Sequence, residues 1–367
     1  MTIPLLDLKR EHAAIEKELQ EVWARALATM HLLKGENVAA FEREIAAYIG
    51  TPYARGVASG TDALLLSMLG LGIGAGDEVI IQANAFAAAV EAVYHAGARP
   101  VLVDIEADGL GPDCDAVERA ITPRTKAVIV VHLYGAPLPL TQILDLTARH
   151  NLMLIEDGSH AHGASRHGHK VGTFGRLGCF SSGVVKNLGA YGDAGFITTG
   201  DADLHKRLQL LQTHGQEQKN HHVLYGFNSR LDELQAALLR VKLRYLDTRN
   251  RRRAAIAAYY SERFATLDLA VPQQRAGEVH VYHQYVVRTS QRDRLQAHLK
   301  AAGVETGIHY PVPLHRQPAW LRNYGESPAL PRAERLAREI LSLPVFPDLT
   351  DAEVELVADA VIGFFRW

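Results

Sequence analysis

The sequence predicts an α/β protein with a large domain around a mostly parallel sheet and a smaller C-terminal α+β domain. Between residues 53 and 157, short apolar runs alternate with helix-like segments of about ten residues, the order typical of βαβ units. Near residue 230 this alternation gives way to long helical sequence. The 367 residues, 47% of them hydrophobic, can form a sizeable core in each part.

The first part of the chain supplies the predicted sheet. Residues 7–29 and then Glu36 to Tyr48 have the apolar spacing of amphipathic helices. Strand-like apolar runs follow at 53–58, 79–83, 100–105, 126–135 and 152–157. A helix-like segment follows each run except the last, which enters a loop rich in glycine and histidine. Because strands joined by helices run parallel, the sheet is expected to be mostly parallel, with helices on its faces.

The second part is expected to be mixed. Residues 231–264 have the pattern of one long helix or a bent pair. A strand-like run at 279–288, a helix at 290–302 and a terminal helix from about Thr350 follow. We therefore predict a large domain over residues 1–248 and a smaller one over 249–367.

Composition argues against several classes of protein. The formal net charge is −2, so no overall charge attracts the chain to nucleic acid or anionic membranes. Two cysteines, Cys114 and Cys179, do not suggest a disulfide scaffold. The first residues carry charges where a signal peptide has an apolar region, and no apolar run is long enough for a bilayer. A cytoplasmic enzyme is expected.

Lys186 is the candidate reactive residue. It lies between a short apolar run and a turn with several glycines, where the backbone can approach a large flat group. Lysine forms a Schiff base with an aldehyde, and desolvation lowers its pKa enough to make it nucleophilic. Taken alone, a lysine in a loop is usually only solvated, so the prediction depends on its neighbours.

Two other segments support a cofactor site. Asp157 ends the run 152–157, and ligands of open α/β sheets bind beyond the carboxyl ends of strands. The sequence SGTD at 59–62 lies where a strand meets a helix, so the N–H groups of Gly60, Thr61 and Asp62 can receive a phosphate. An ordinary helix cap at Ser59 or Thr61 explains the same residues equally well.

Together these segments resemble the DegT/DnrJ/EryC1/StrS sugar aminotransferases, which depend on pyridoxal 5′-phosphate (PLP) and have fold type I. The similar segments occur in the family's order: SGTDALLL (59–66), GDEVI (76–80), IEDGSHAHGA (155–164), GCFSS (178–182), KNLGAYGDAG (186–195), GFNSRLDELQAA (226–237) and HYPVPLHRQPA (309–319).

The resemblance implies a role for particular residues. Lys186 would form the internal aldimine, Asp157 would pair with the pyridine nitrogen, and His160 would lie near the phenolic oxygen. The other residues implied to bind the cofactor are Gly60, Thr61, Asp62, Phe86 and Ser181, with Asn228 reaching the phosphate of the neighbouring subunit in a homodimer. The residues implied to line the sugar pocket are His309, Tyr310 and His315. No metal is implied.

The implied reaction is ping-pong amino transfer from L-glutamate to a nucleotide-linked keto-sugar, with pyridoxamine 5′-phosphate (PMP) between the half-reactions. HYPVPLH is similar to enzymes that aminate C3 of a dTDP-linked 3-keto-6-deoxyhexose. The alternatives are amination at C4 of a UDP- or dTDP-sugar, amination of a cyclitol ketone, and a non-catalytic regulatory role. A related sugar 3-dehydratase carries histidine in place of the lysine, so Lys186 disfavours that reaction.

Two clusters, one of histidines and one of arginines, are expected to have structural rather than ligand-binding roles. The histidines of one loop, His160, His162, His167 and His169, do not have the ligand set of a typical zinc site. Arg251 to Arg253 are expected to form a solvated helix face, with contact to the nucleotide's diphosphate as the alternative. The sequence shows no clear arginine that would bind the donor's carboxylate, and Arg230 is a weak candidate for that role.

Overall fold

The computed structural model describes residues 2–33 and 35–366. In chain order its helices are α1 Leu8–Thr29, α2 Glu36–Ile49, α3 Gly60–Gly70, α4 Ala87–His95, α5 Cys114–Ala120, α6 Thr141–Arg149, α7 Ala202–Leu211, α8 Glu233–Leu243, α9 Leu246–Phe264, α10 Arg292–Ala301, α11 Pro318–Tyr324, α12 Pro331–Glu339 and α13 Asp351–Phe365.

The strands are β1 Tyr53–Val57, β2 Glu78–Gln82, β3 Arg99–Val103, β4 Thr125–Val131, β5 Met153–Asp157, β6 Ser165–Arg166, β7 His169–Lys170, β8 Leu177–Ser181, β9 Gly195–Thr199, β10 Gln216–Gln218, β11 His221–His222, β12 Glu278–Val279, β13 Tyr285–Arg288 and β14 Ile340–Leu343.

Seven strands form the central sheet, in the order β1-β9-β8-β5-β4-β2-β3. The pairs from β8 to β3 are parallel, while β9 is antiparallel to both β8 and β1. Strands β2 and β4 are buried over most of their length because helices cover both faces of the sheet, which explains their continuous apolar runs. The predicted α/β class with a mostly parallel sheet is confirmed.

A second apolar core lies in the C-terminal part. It gathers residues from α9, α10, β13, β14 and α13, together with Ile3 from the N-terminal segment. The helix α13 begins at a capping box, in which the Thr350 hydroxyl accepts the Glu353 N–H and the Glu353 carboxylate accepts the Thr350 N–H. The boundary predicted between residues 248 and 249 falls in the first turn of α9.

Two expectations for the C-terminal part need correction. The run 279–288 is not one strand: β12 ends at Val279 and β13 begins at Tyr285. The chain turns between them, where Tyr282 has a φ of +43°. Arg251 to Arg253 do not form one solvated face, because Arg253 is only 4% exposed. The long helical sequence from residue 231 is the bent pair, α8 and α9.

Within residues 2–33 and 35–366, no helix combines the length and apolar character needed to cross a membrane.

Candidate active site

Lys186 lies in the tight turn between β8 and β9. Its N–H donates to the carbonyl of Gly183 at 2.9 Å. A Cβ at Gly189 would lie 2.5 Å from the carbonyl oxygen of Val184, so the turn closes only around glycine. Burial lowers the pKa of Lys186 from 10.5 to about 8, with the charge of Asp157 acting in the opposite direction. A lysine with this pKa is partly deprotonated near neutral pH and can act as a nucleophile.

Asp157 lies beside Lys186 at the carboxyl end of β5. Its side chain is buried, and its Oδ1 accepts the N–H of Ser159 at 3.0 Å. In the sheet Asp157 pairs with Cys179 of β8, the strand that leads into the turn of Lys186, and the Ser181 N–H at the end of β8 donates to Ser159 Oγ at 3.0 Å. The sheet therefore brings the predicted carboxylate and the predicted lysine into one site.

Neutral histidines surround the lysine. Burial, followed by the charge of Lys186, lowers the pKa of His309 to about 4. Burial also lowers the pKa of His160 and of His283, whose rings lie 4.4 Å apart. Because these imidazoles are uncharged at neutral pH, Lys186 is not surrounded by other cations.

Sequence reasoning missed His283 and Tyr134. His283 Nδ1 lies 3.0 Å from the Oδ1 of Asn187, the residue after the lysine. The Tyr134 hydroxyl donates to the carbonyl of His309 at 2.6 Å. His283 lies inside the run predicted as a strand, and Tyr134 follows β4 in a turn with a φ of +61°. The position of Tyr134 beyond a strand's carboxyl end is the one sequence signal that pointed to it.

The N-terminus of α3 is open and faces Ser181. Ser59 caps the helix, and its Oγ accepts the N–H of Asp62 at 3.1 Å. Gly60 and Thr61 come first in the helix, so their N–H groups have no carbonyl in a preceding turn. A Cβ at Gly60 would lie 2.4 Å from the Cβ of Ser181, which shows how closely Ser181 faces this helix end. Both the cap and the open helix end predicted from SGTD are therefore present.

Phe86 and Tyr310 meet in front of the site. Phe86 precedes α4 and is 54% exposed, with its ring centroid 5.5 Å from that of Tyr310 at an angle of 42°. Tyr310 is itself close enough to Asp157 for that carboxylate to raise its pKa. An exposed aromatic ring packed against Tyr310 is a suitable surface for a flat ligand to stack on.

Asn228 and His315 lie apart from this cluster. Asn228 is exposed. The residue before it is fixed to the end of α7, because the Phe227 N–H donates to the carbonyl of Leu211 at 2.6 Å. His315 is fully buried, and its Nε2 lies 3.0 Å from Glu334 Oε1. Asn228 is therefore accessible to solvent in the single chain, and the His315 side chain connects its turn to α12.

The described residues fit PLP. A partly deprotonated lysine suits its aldehyde, a buried carboxylate suits its ring nitrogen, and a helix N-terminus packed against Ser181 suits its phosphate. Each group belongs to a different element, and the sheet gathers all three at one edge. Among the described residues, no group of three or more His, Cys, Asp or Glu could hold a metal ion.

Comparisons with known proteins agree with this geometry. The chain is 44% identical to the dTDP-3-amino-3,4,6-trideoxy-alpha-D-glucose transaminase of Streptomyces venezuelae, over 98% of this chain and 95% of that protein. It is 41% identical to the UDP-N-acetyl-3-dehydro-alpha-D-glucosamine 3-aminotransferase of Acidithiobacillus ferrooxidans, over 98% and 97% of the two chains. The crystal structure of S. venezuelae DesV with a ketimine intermediate superposes with a TM-score of 0.97 at 43% identity, covering 100% of this chain and 99% of that one.

These matches establish the kind of enzyme. The chain is a transaminase of nucleotide sugars, and its cofactor is PLP, since solved structures of this fold include PLP and PMP forms. Residues 13–362 match one sequence family, which covers nearly the whole chain. The chain therefore belongs to the DegT/DnrJ/EryC1/StrS aminotransferase family.

Proposed function

We propose that this enzyme moves an amino group from L-glutamate to C3 of a dTDP-linked 3-keto-6-deoxyhexose, in two half-reactions at Lys186. The observation that carries the proposal is that half-buried Lys186 and buried Asp157 lie at the same end of the sheet, where Ser181 faces the N-terminus of α3. The position C3 is supported by the segment at 309–319 and by two relatives whose names refer to a 3-amino or 3-dehydro sugar.

When bound, PLP supplies an aldehyde and an electron sink. The chain's own residues supply orientation and proton transfer. Lys186 would hold the cofactor and then carry the proton taken from the donor's α-carbon, since its pKa of about 8 lets it both accept and release a proton near neutral pH. Asp157 would keep the ring nitrogen protonated through a buried charge–charge contact.

The surrounding residues would fix the ring and the phosphate. The N–H groups of Gly60 and Thr61, with Ser181, would hold the phosphate at the positive end of α3. The Asp62 N–H already donates to the Ser59 Oγ. It would therefore contribute less to phosphate binding than the resemblance implies. Phe86 and His160 would lie against the ring, and His309 and Tyr310 would face the sugar.

A second candidate differs only in the acceptor. The Acidithiobacillus relative carries a UDP-linked sugar in its name, so a UDP-3-keto-sugar is the alternative acceptor. One experiment separates the two nucleotides and also distinguishes amination at C3 from amination at C4.

The test is a panel of dTDP-, UDP- and GDP-linked keto-sugars with L-glutamate, with the position of the new amine determined by NMR. We expect the highest kcat/KM with the dTDP-linked 3-keto-6-deoxyhexose and an amine at C3. A tenfold or greater preference, about 1.4 kcal/mol, would be decisive. Amination at C4, or a preference for a UDP-sugar, would contradict the acceptor proposed.

We further propose a homodimer in which Asn228 reaches the partner's phosphate site. Asn228→Asp should weaken PLP retention about tenfold or more, because it places a carboxylate beside a phosphate dianion. The measurement is cofactor release on dialysis. The control is Asn323→Asp, an exposed asparagine on α11. If Asn228→Asp retains PLP as well as the control variant does, Asn228 does not contact the phosphate.

A further inference from the structure

Tyr134 occupies a strained turn just beyond the carboxyl end of β4. Its φ of +61° lies in the left-handed region, which bulky side chains rarely adopt. The side chain is only 5% exposed, so the protein around it holds this conformation in place. A bulky residue kept at a positive φ by tertiary contacts points to a functional constraint, and three sets of contacts identify that constraint here.

The backbone of the turn binds a distant part of the chain. The Tyr134 carbonyl accepts the Gln284 N–H at 3.2 Å. The carbonyl of the next residue, Gly135, accepts the Val281 N–H at 3.0 Å. A Cβ at Gly135 would lie 2.9 Å from the backbone nitrogen of His283, so the bend between β12 and β13 packs directly on the turn. The C-terminal part of the chain therefore fixes the backbone of Tyr134.

The Tyr134 N–H determines which ring nitrogen of His160 carries the proton. It donates to His160 Nδ1 at 3.3 Å. A backbone N–H cannot accept a hydrogen bond, so Nδ1 is unprotonated in this contact. Burial lowers the pKa of His160 well below its usual value, so the ring is neutral and its one proton lies on Nε2. The turn thus holds His160 in a single tautomer, with Nε2 as a donor.

The side chain of Tyr134 reaches a third segment. Its hydroxyl donates to the carbonyl of His309 at 2.6 Å. The His309 ring is held separately, because its Nδ1 lies 2.8 Å from Ser342 Oγ. Tyr310, the next residue, packs against the exposed ring of Phe86. The hydroxyl therefore fixes the main chain between two side chains that face the sugar in the proposed function.

We propose that Tyr134 is a positioning residue for the keto-sugar half-reaction. Its backbone is anchored beside His160, and its rigid ring sets the distance from there to the main chain of His309 and Tyr310. The inference rests on the proposed function in one respect, namely that these two residues contact the sugar. Loss of the hydroxyl would release them and leave His160 in place, because the N–H and carbonyl of residue 134 do not depend on its side chain.

The test is Tyr134→Phe, which removes the hydroxyl and keeps the ring and the backbone. Absorbance follows the two half-reactions separately, the PLP form with L-glutamate alone and the PMP form with the dTDP-linked 3-keto-6-deoxyhexose alone. We expect the second-order rate constant to fall about tenfold with the keto-sugar and to stay within about twofold of wild type with glutamate. Placing 4-aminophenylalanine at position 134 restores a donor and should recover most of the keto-sugar activity.

Tyr260→Phe is the matched control. The Tyr260 hydroxyl is also buried and also donates to one backbone carbonyl, that of Pro344 at 3.1 Å, but it belongs to the C-terminal core. This variant should lose about as much thermal stability as Tyr134→Phe and keep both half-reactions within about twofold of wild type. The comparison separates the loss of a buried hydrogen bond from the loss of positioning.

Three results would overturn the inference. These are an equal loss in the two half-reactions, no loss in either, or the same selective loss in Tyr260→Phe. If Tyr134→Phe does not fold, 4-fluorophenylalanine replaces it, because fluorine occupies the place of the hydroxyl and donates no hydrogen bond. If a UDP-linked keto-sugar is the better acceptor in the panel, it serves as the acceptor here. That result contradicts the proposed acceptor and leaves the comparison of half-reactions intact.

Discussion

Replacing Lys186 with alanine should abolish amino transfer in both half-reactions, by at least about 10³-fold. The turn that carries Lys186 is closed by backbone hydrogen bonds and by Gly189, so shortening the side chain leaves the turn intact. What disappears is the single amine that lies beside Asp157 and can move a proton between donor and cofactor.

The measurement has two independent parts. The first is the rate of PLP-to-PMP conversion with L-glutamate, and the second is mass spectrometry after borohydride reduction, which marks the lysine linked to the cofactor. Lys206→Ala, on the exposed side of α7, is the matched control and should behave as wild type in both. Retained activity, or a reduced adduct on another lysine, would show that Lys186 is not the reactive residue.

The pH dependence of cofactor capture gives a second readout for Lys186. Only the deprotonated amine attacks an aldehyde, and burial lowers the pKa of Lys186 to about 8. The rate at which the cofactor-free protein captures PLP should therefore rise through about pH 8 and level off above it. A rate that continues to rise toward the ordinary lysine pKa of about 10.4 would indicate an amine exposed to water.

The sequence was sufficient for most of the sheet and for the centre of the site because both are local features. Apolar runs predicted the strands β1 to β5 and the strand before Lys186, but not the antiparallel strand β9, and Asp157 stands directly at the end of β5. The glycines around Lys186 indicated a tight turn, and Gly189 has the close approach that such a turn requires. These signals need only a few neighbouring residues, so they do not depend on how distant segments meet.

The outer residues of the site depend on distant contacts. His283 reaches the lysine turn because the chain bends at Tyr282, where a run of alternating residues had predicted one strand. The sequence does not reveal that bend, and in the structure residues 280–282 and 285–287 are all buried, without the two-residue period of one strand. The resemblance places His315 in the sugar pocket, which stays a prediction, and its contact with Glu334 on α12 could not be predicted because α11 lies between them in the sequence.

Arg253 is different, because the sequence did hold the signal. Its spacing to Ile256, Tyr260 and Phe264 is that of one buried helix face, and all three are buried. The neighbouring arginines suggested a solvated cluster, and charge was given more weight than helical periodicity. A charged residue on the apolar face of a helix is therefore expected to be buried and hydrogen-bonded, even where its sequence neighbours are exposed.

Replacing Asp157 with asparagine should slow both half-reactions by about 10²–10⁴-fold while leaving the fold unchanged. Asparagine has the same shape, and its Oδ1 can still accept the Ser159 N–H, so the end of β5 keeps its hydrogen bond. It has no negative charge, however, and cannot hold a proton on the ring nitrogen of the cofactor. Each unit by which the pKa of the ring nitrogen falls destabilises its protonated form by about 1.36 kcal/mol relative to the neutral form.

The pattern of losses separates Asp157 from Lys186. Asp157→Asn should still give a borohydride-reducible adduct on Lys186, because the amine is present and its pKa remains lowered by desolvation, but it should react slowly with L-glutamate. Lys186→Ala should give no adduct at all. Asp203→Asn, on the exposed face of α7, is the matched control and should retain full activity. Activity of Asp157→Asn within about threefold of wild type would mean that this carboxylate only organises the loop after β5, and the ring nitrogen would then need another partner.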